Sequence, residues 1–344
     1  MAECRFSVII ACHNEAATIE RKLANTFALS CAAPFEVLVI DDGSTDGTLD
    51  AVHRFRRGRA AHGSAPALKV LTNRHAAGKN GAVRTALERA TGAIHLITDA
   101  DVELGPSTLE AAWRWFDGDP RVGGLCLTPC LRSRDAGVLR QYAAHYEPFN
   151  RRLKMLQSRI DSVPMLHGQA MFVRAAAAVV PAADLPADDV DLAMQIRRVG
   201  YRVRYAADLP FFEELAPDAG HLDRQKIRRA KAVMRSLWRH RGVLCNPRYG
   251  AFGMLCVPID VFLYFGLAPV CLAAGVAGAA WVVVTLGVPG LALVALALAA
   301  MGLTPLRAVP LYLRLLLTAA AMLCVEHAPR IRWKPQRHTA SRSA

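Results

Sequence analysis

Apolar and polar positions alternate in blocks along the first hundred residues, and each apolar block ends in the same way. "RFSVIIACHNE" is a run of strand-forming residues that closes on polar ones, and "EAATIERKLANTFAL" then sets Ile19, Leu23 and Phe27 at helical spacing. "FEVLVIDDGSTDGT" repeats the plan: an apolar strand, an acidic end, and a Gly/Ser/Thr/Asp turn that caps the helix "TLDAVHRF". "ALKVLTNR" reads as a third strand. It is followed by "GKNGAVRTALERATG", a glycine loop entering a helix that stops at Gly92, and "AIHLITDAD" is the fourth strand. Strand and helix alternating in such short units predict an α/β domain with a mostly parallel, Rossmann-like sheet and helices on both faces.

In sheets of that kind a ligand lies beyond the carboxyl ends of the strands. "CHNE", "DDGSTD" and "TDADVE" all fall there. Asp99 and Asp101 are two residues apart, so in a strand they aim at one face, and a paired acid of this kind suits a cation. A solvated strand-to-turn transition is the plain alternative. Three strand ends with the same polar chemistry favour a site. Neither a Gly-x-Gly-x-x-Gly turn nor a P-loop is present. The acids are therefore expected to accept hydrogen bonds from a base or ribose and to hold a diphosphate through a divalent metal. Lys79 adds positive charge near that phosphate, or is an exposed loop lysine. Further on, "SVPMLHGQAMFVRAAA" reads as a turn, a glycine, a strand and a small-residue helix. In "LPADDVDLAMQIRRVGYRVRYAAD", Asp188, Asp189 and Asp191 precede a helix with Leu192, Ile196 and Val199 at helical spacing. Acids there favour the helix dipole, and one of them placed in a cleft makes a general base.

Composition changes the picture at the other end of the chain. Of 344 residues, 53% are hydrophobic, an excess that gathers late: from 251 to 325 the charged residues are Asp260, Arg307 and Arg314, and 261–306 carries none. A bilayer-spanning helix takes about 20 apolar residues, so two or three spans are expected. The net charge of +13 gathers partly in 224–248, which holds nine Lys or Arg residues just before the apolar region, and in the basic tail after it. Basic flanks read as cytoplasmic contacts to anionic headgroups. Nucleic acid is not an expected partner, because the basic run lacks interleaved aromatics and a base-reading motif. The first residues lack a basic segment followed by a long apolar run, so no cleaved signal peptide is expected and the N-terminal part is placed in the cytosol. The nine cysteines show no ligand spacing; Cys126 and Cys130 come nearest, and no second pair follows them.

Taken in order, "FSVIIACHNEAATI", "EVLVIDDGSTDGT", "GKNGAVRTALERATG", "LITDADVEL", "ADDVDLAMQIRRVGYRV" and "RQKIRR" resemble the membrane-anchored inverting glycosyltransferases of family 2, over about residues 5 to 250. The apolar region after them resembles the carboxy-terminal helices of bacterial members that build extracellular polysaccharides. The resemblance implies the nucleotide-diphospho-sugar transferase fold and transfer of a sugar from a nucleotide sugar, expected to be a UDP-sugar, to a glycan or lipid acceptor. It implies a multi-pass protein of the bacterial inner membrane with a cytosolic catalytic domain, and partner subunits of a glycan-assembly system.

By matching position, Asp41 and Asp42 contact the uridine or ribose with Glu15 beside them, Asp99 is the first acid of the Asp-x-Asp motif, and Asp101 coordinates Mg²⁺ or Mn²⁺. Asp189 matches the catalytic base, and Asp188 stands where the family has Glu. Gln225 and Arg228 match a Gln-x-x-Arg-Trp motif of processive members, with Arg229 where tryptophan is expected; these three and Asp188 are expected to contact acceptor or diphosphate. Arg228 and Arg229 read equally as part of a basic juxtamembrane helix. The domains expected are a catalytic domain over 1–222, an interface helix over 223–250, membrane helices over 251–326 and a cytosolic tail over 327–344. The alternatives are transfer of a single sugar to a lipid carrier, and a catalytically silent membrane subunit.

Overall fold

The computed structural model describes residues 5–60, 66–132, 138–184, 187–214 and 219–303. The described chain divides into two units, one holding 5–132 and 155–214, the other 138–154 and 219–303. In the first unit β1 (Phe6–Cys12), β2 (Phe35–Asp41), β3 (Ala67–Thr72) and β4 (Ile94–Asp99) pair in parallel in the order β3-β2-β1-β4. The register aligns Cys12 with Asp41 and Ala11 with Asp99, so the acidic ends lie level. These are the strands and the order of ends that the alternating blocks predict.

Residues two apart on each strand enter the same layer of core. Val8, Ile10, Val37 and Val39 pack with Ile19 and Leu23 of α1 (Ile19–Phe27) and with Ala51 and Val52 of α2 (Thr48–Ala60). Ile9, Ala11, Leu38 and Ile40 pack with Ala82, Val83 and Ala86 of α3 (Lys79–Leu87) on the opposite face. Strands of a parallel sheet covered on both faces read as near-continuous apolar runs, and in β1, β2 and β4 the polar exceptions are Ser7, Glu36, Asp41, His95, Thr98 and Asp99.

The sheet then changes direction. β5 (Glu103–Leu104), α4 (Thr108–Gly118), β6 (Val122–Arg132), β7 (Ala170–Arg174), α6 (Asp188–Arg198) and β8 (Arg202–Glu214) complete it. The eight strands run β3-β2-β1-β4-β7-β6-β8-β5, with β7 antiparallel to both β4 and β6, β8 parallel to β6, and β5 antiparallel to β8. The antiparallel β7 places the loop before it, which carries His167, Gly168 and Gln169, beside the end of β4: Asp99 N–H donates to Gln169 O at 2.9 Å. The end of α5 (Val138–Ile160) supplies Ser158, whose Oγ accepts from Tyr205 N–H of β8.

One buried polar network fastens the opposite edge of the sheet. Glu36 takes hydrogen bonds from Ser7 Oγ (2.6 Å) and from the Thr91 N–H and Oγ1 (2.6 and 2.9 Å), and pairs with Lys69 Nζ at 2.6 Å. Burial pushes the Glu36 carboxyl up, but bonds from Lys69, Ser7 and Thr91 outweigh it and hold the group at about 2, against an ordinary 4.5. A carboxylate held lower in the folded state stabilises it above pH 4.5 and loses that contribution as pH falls towards 2. Glu36→Gln is expected to cost about 2 kcal/mol at pH 7. Thermal midpoints of the two proteins across pH 2 to 7 should converge at the acid end.

In the second unit, α7 (Ala219–Arg239) is followed by one continuous helix over Phe252–Leu286, 35 residues long and apolar enough to cross a membrane. At 1.5 Å per residue it spans about 50 Å, beyond the roughly 30 Å of a hydrocarbon core. It contains two π-helical segments, Phe252–Cys256 and Phe262–Gly266, around α8 (Val257–Val261), and ends with α9 (Leu267–Leu286). Gly287, at φ +60°, turns the chain into α10 (Val288–Leu303), which packs against α9. Trp281, Val284 and Val288 are exposed, as side chains facing lipid would be. The expected spans beyond 303 and the tail lie outside the described residues.

Candidate active site

The loops at the strand ends are stitched together before any ligand arrives. Asn14, at φ +57°, donates its N–H to Ser44 Oγ and accepts from Thr45 N–H through its own side chain (3.0 and 2.8 Å). Asparagine is among the few side chains that tolerate this left-handed backbone. Glu15 N–H donates to Thr48 Oγ1, and Ala16 N–H to Asp46, so the loops after β1 and β2 are tied to each other. Asp41, buried at the end of β2, closes the following turn by accepting from the Gly43 and Ser44 N–H groups. Asp42 accepts from Gly78 N–H at 2.6 Å and from Asn73 Nδ2, and so holds the glycine loop that opens α3. Both acids of the expected base and ribose pair thus hold the loops that follow the strand ends.

Lys79, in the first turn of α3, ties the two halves of the sheet together. Its Nζ lies 2.8 Å from Asp99 Oδ1 and 3.5 Å from Asp188 Oδ2, and donates to Gly168 O. Burial works against its charge, yet Asp188 and Asp99 outweigh burial and hold its pKa above the ordinary lysine value. It is a largely buried, paired cation and not an exposed loop lysine.

The acids around it are more numerous than the cations. Burial raises Asp188 to about 6 with help from Asp189 and Asp99, against the pull of Lys79. Asp101 is raised to about 7 by burial, then by Asp99, Glu213 and Glu15. Glu15 is raised by burial, with Asp99 and Asp46 adding to it against the hydrogen bond from Thr18. Carboxylates crowded in this way favour a cation arriving with the ligand. No three His, Cys, Asp or Glu side chains among the described residues converge in metal-holding geometry. Asp99 and Asp101 offer hard oxygen donors, which fit a Mg²⁺ or Mn²⁺ ion that completes its shell with phosphate oxygens.

The three acids at the start of α6 separate in role. Asp191 is structural, its Oδ2 accepting from Ala182 N–H and Gln195 Nε2. Asp188 faces Lys79. Asp189 accepts from Val190 N–H at 2.9 Å and turns its other oxygen towards Gly168. A methyl group at Gly168 would lie 3.3 Å from Asp188 Oδ1, 3.7 Å from Asp189 Oδ2 and 3.7 Å from Lys79 Nζ, so three charged groups converge on a residue without a side chain. His167 packs its ring against Phe211, centroids 5.8 Å apart.

Of the residues read from sequence, Glu15, Asp41, Asp42, Lys79, Asp99, Asp101, Asp188 and Asp189 all lie at this end of the first unit. Gln225, Arg228 and Arg229 lie on α7 in the second unit, Arg228 exposed and the other two half-buried. Four residues of the site escaped the sequence reading: Lys22 under the Asp99 turn, Asn73, Gln169 and Glu213. Gln169 Nε2 donates to Glu213 Oε2 at 3.0 Å, joining the β7 loop to the end of β8. Lys22 left a signal, a cation on the apolar face of α1 next to Leu23.

Known proteins resemble this chain in sequence and fold. The glycosyl transferase family 2 model matches residues 7–179, and that of glycosyl transferase family group 2 matches 94–325. The poly-β-1,6-N-acetyl-D-glucosamine synthase of Staphylococcus aureus (strain COL) is 24% identical over 227 residues, 65% of this chain and 53% of its own length. The synthase of the same name from Staphylococcus epidermidis is 20% identical over 239 residues, 67% and 56% of the two chains. The chain thus spans about half the length of the curated relatives it matches. Among solved structures, the mannosyltransferase PcManGT of Pyrobaculum calidifontis, in complex with GDP-Man and Mn²⁺, superposes with a TM-score of 0.75 at 27% identity, over 94% of this chain and 88% of that one. A family model covering half of the chain, and a fold shared over nearly all of it with a sugar transferase, assign this chain to glycosyl transferase family 2, as a glycosyltransferase built on the nucleotide-diphospho-sugar transferase fold.

Proposed function

We propose that the protein is an inverting, membrane-bound glycosyltransferase that moves a sugar from a nucleotide sugar to a glycan or lipid acceptor. One observation carries this reading: the β4-end acid Asp99 and the α6 acids Asp188 and Asp189 meet around Lys79 and Gly168. The loops ordered by Asp41, Asp42 and Glu15 receive the base and ribose. Asp99 and Asp101 face the diphosphate. A divalent cation bound there would neutralise charge growing on the leaving group. Asp189 takes the proton of the acceptor hydroxyl, the acceptor oxygen bonds to the anomeric carbon, and the bond from that carbon to the diphosphate oxygen breaks on the opposite face. The nucleoside diphosphate leaves, and the configuration inverts.

Lys79 keeps Asp188 in place and offsets its charge, leaving Asp189 as the acid at the acceptor side. The helix Phe252–Leu286 with α10 anchors the protein in a bacterial inner membrane, and the basic stretch 224–248 lies on the cytosolic headgroups. The catalytic domain over 1–222 then faces the cytosolic pool of nucleotide sugars. The silent-subunit alternative gives way to the enzyme, because the family is one of transferases.

A UDP-sugar is the first donor to test. A GDP-sugar is the second, on the strength of the fold shared with a mannosyltransferase solved with GDP-Man. Detergent-purified protein with Mn²⁺ or Mg²⁺ and radiolabelled UDP- and GDP-sugars should transfer label to membrane-lipid extract or to oligosaccharide from one donor class. Transfer from neither, with nucleotide still bound, would overturn the proposal. Arg229 lacks the flat apolar surface of tryptophan on which a growing chain stacks. Arg229→Trp is therefore expected to lengthen the glycan, and identical product sizes on a gel would remove that role.

A further inference from the structure

Lys22 is a buried lysine that the proposed mechanism leaves without a task on the substrate. It projects from α1 among Ile19, Leu23 and Thr26, and 1% of it is exposed. Burying an ammonium costs several kcal/mol unless it is paired, so what it holds matters. Its Nζ donates to Thr98 Oγ1 at 2.8 Å and to Val102 O at 2.7 Å. Those two acceptors bracket Asp99, Ala100 and Asp101. A single cation thus pins both ends of the turn that carries the two acids.

The turn itself is built to be pinned. Ala100 and Val102 are buried, whereas Asp99 and Asp101 are half-exposed, so the apolar residues face inward and the acids outward. One helical turn further along α1, Asn25 makes a reciprocal pair with the Leu104 backbone, Nδ2 to O and N–H to Oδ1, both 2.9 Å.

Burial lowers Lys22 to about 7, and Asp99, Asp101 and Glu103 act against burial to keep it charged.

We propose that Lys22 is a positioning residue for the donor's diphosphate site: by gripping Thr98 Oγ1 and Val102 O it fixes the spacing and direction of the Asp99 and Asp101 carboxylates, and so sets their affinity for a divalent cation. This rests on the donor-site reading above. Groups that orient metal ligands from behind change metal affinity by about 10- to 100-fold when removed. A plain charge effect has the opposite sign, because deleting a cation beside two acids tightens the binding of another cation.

The test is Mn²⁺ binding to the full detergent-purified chain, followed by electron paramagnetic resonance with UDP, and in parallel GDP, as the phosphate partner. Lys22→Met should weaken Mn²⁺ about tenfold or more. Thr98→Val keeps the lysine and removes one grip; it should weaken Mn²⁺ in the same direction, and the double variant should be no worse than Lys22→Met alone. Unchanged or tighter Mn²⁺ binding in Lys22→Met overturns the positioning role. If Lys22→Met does not fold, unchanged binding in Thr98→Val overturns it. Asn25→Ala separates general loosening of α1 from this grip: an equal loss of Mn²⁺ in that variant also overturns the proposal, and a lower thermal midpoint with little change in Mn²⁺ affinity supports it. Wild-type protein that binds Mn²⁺ with neither nucleotide overturns the donor-site reading itself.

Discussion

Asp189→Asn should leave donor binding within about twofold of wild type and lower turnover by about 10²- to 10⁴-fold, the range for loss of a general base. Asparagine has nearly the same shape as aspartate and retains an oxygen for the hydrogen bond from Val190 N–H, so the start of α6 has no reason to rearrange. Lost is the oxygen that faces Gly168, and with it the ability to take a proton. The neighbouring Asp188 does not replace it, because that carboxylate is turned to Lys79. Donor affinity from calorimetry and turnover from nucleotide release separate the two quantities. Turnover unchanged in Asp189→Asn would remove the base assignment.

The second large effect falls on the donor. Asp101→Ala is expected to abolish metal-dependent donor binding, a loss of at least about a hundredfold, since even residues behind a metal ligand are worth 10- to 100-fold. Asp101 sits in a turn that α1 already holds, so the deletion should leave the backbone as it is. It also removes one of the carboxylates crowding the site with Asp99, Glu213 and Glu15, which relieves repulsion in the metal-free protein. The expected signature is therefore a stable protein that no longer responds to Mn²⁺: an unchanged or raised thermal midpoint without metal, and no further rise when Mn²⁺ and nucleotide are added together. Full metal-dependent donor binding in Asp101→Ala would show that the ligands are elsewhere.

The sequence was most legible where the sheet is simplest. β1, β2 and β4 are largely apolar because both faces are covered, and each runs into polar residues that read as a boundary. β6 and β8 carry no such mark. β6 contains paired glycines and a proline, and β8 alternates charged and apolar residues around Pro210, since these strands lie in the mixed half of the sheet. The acids of the site were legible as types: Asp99, Asp101 and the run from Asp188 to Asp191 stand at strand or helix ends where polar residues need a reason.

Their division of labour was not legible, because it depends on partners distant in sequence. Lys79 reaches across 89 residues to Gly168 O, and only that contact turns Asp188 into a support for its neighbour. Asp41 and Asp42 read as ligand-binding acids, and their hydrogen bonds show that both also build the loops around the cleft. Glu213 and Gln169 gave no signal, because acids at the end of a strand and a single amide after a glycine are ordinary. Lys22 is the instructive miss: its position on an apolar helical face was visible, but a lysine there reads as a helix former until its acceptors, 76 and 80 residues away, are known.

The central claim is a single displacement at the anomeric carbon, with Asp189 as base on one side and the diphosphate held by Asp99 and Asp101 on the other. Its most direct test is the anomeric configuration of the first product, read by proton NMR from a donor of known configuration before any second sugar is added. Inversion is the expected result. Retention would contradict the account, because it requires either two displacements through a covalent sugar on the protein or departure and attack on the same face, and neither gives Asp189 the role described.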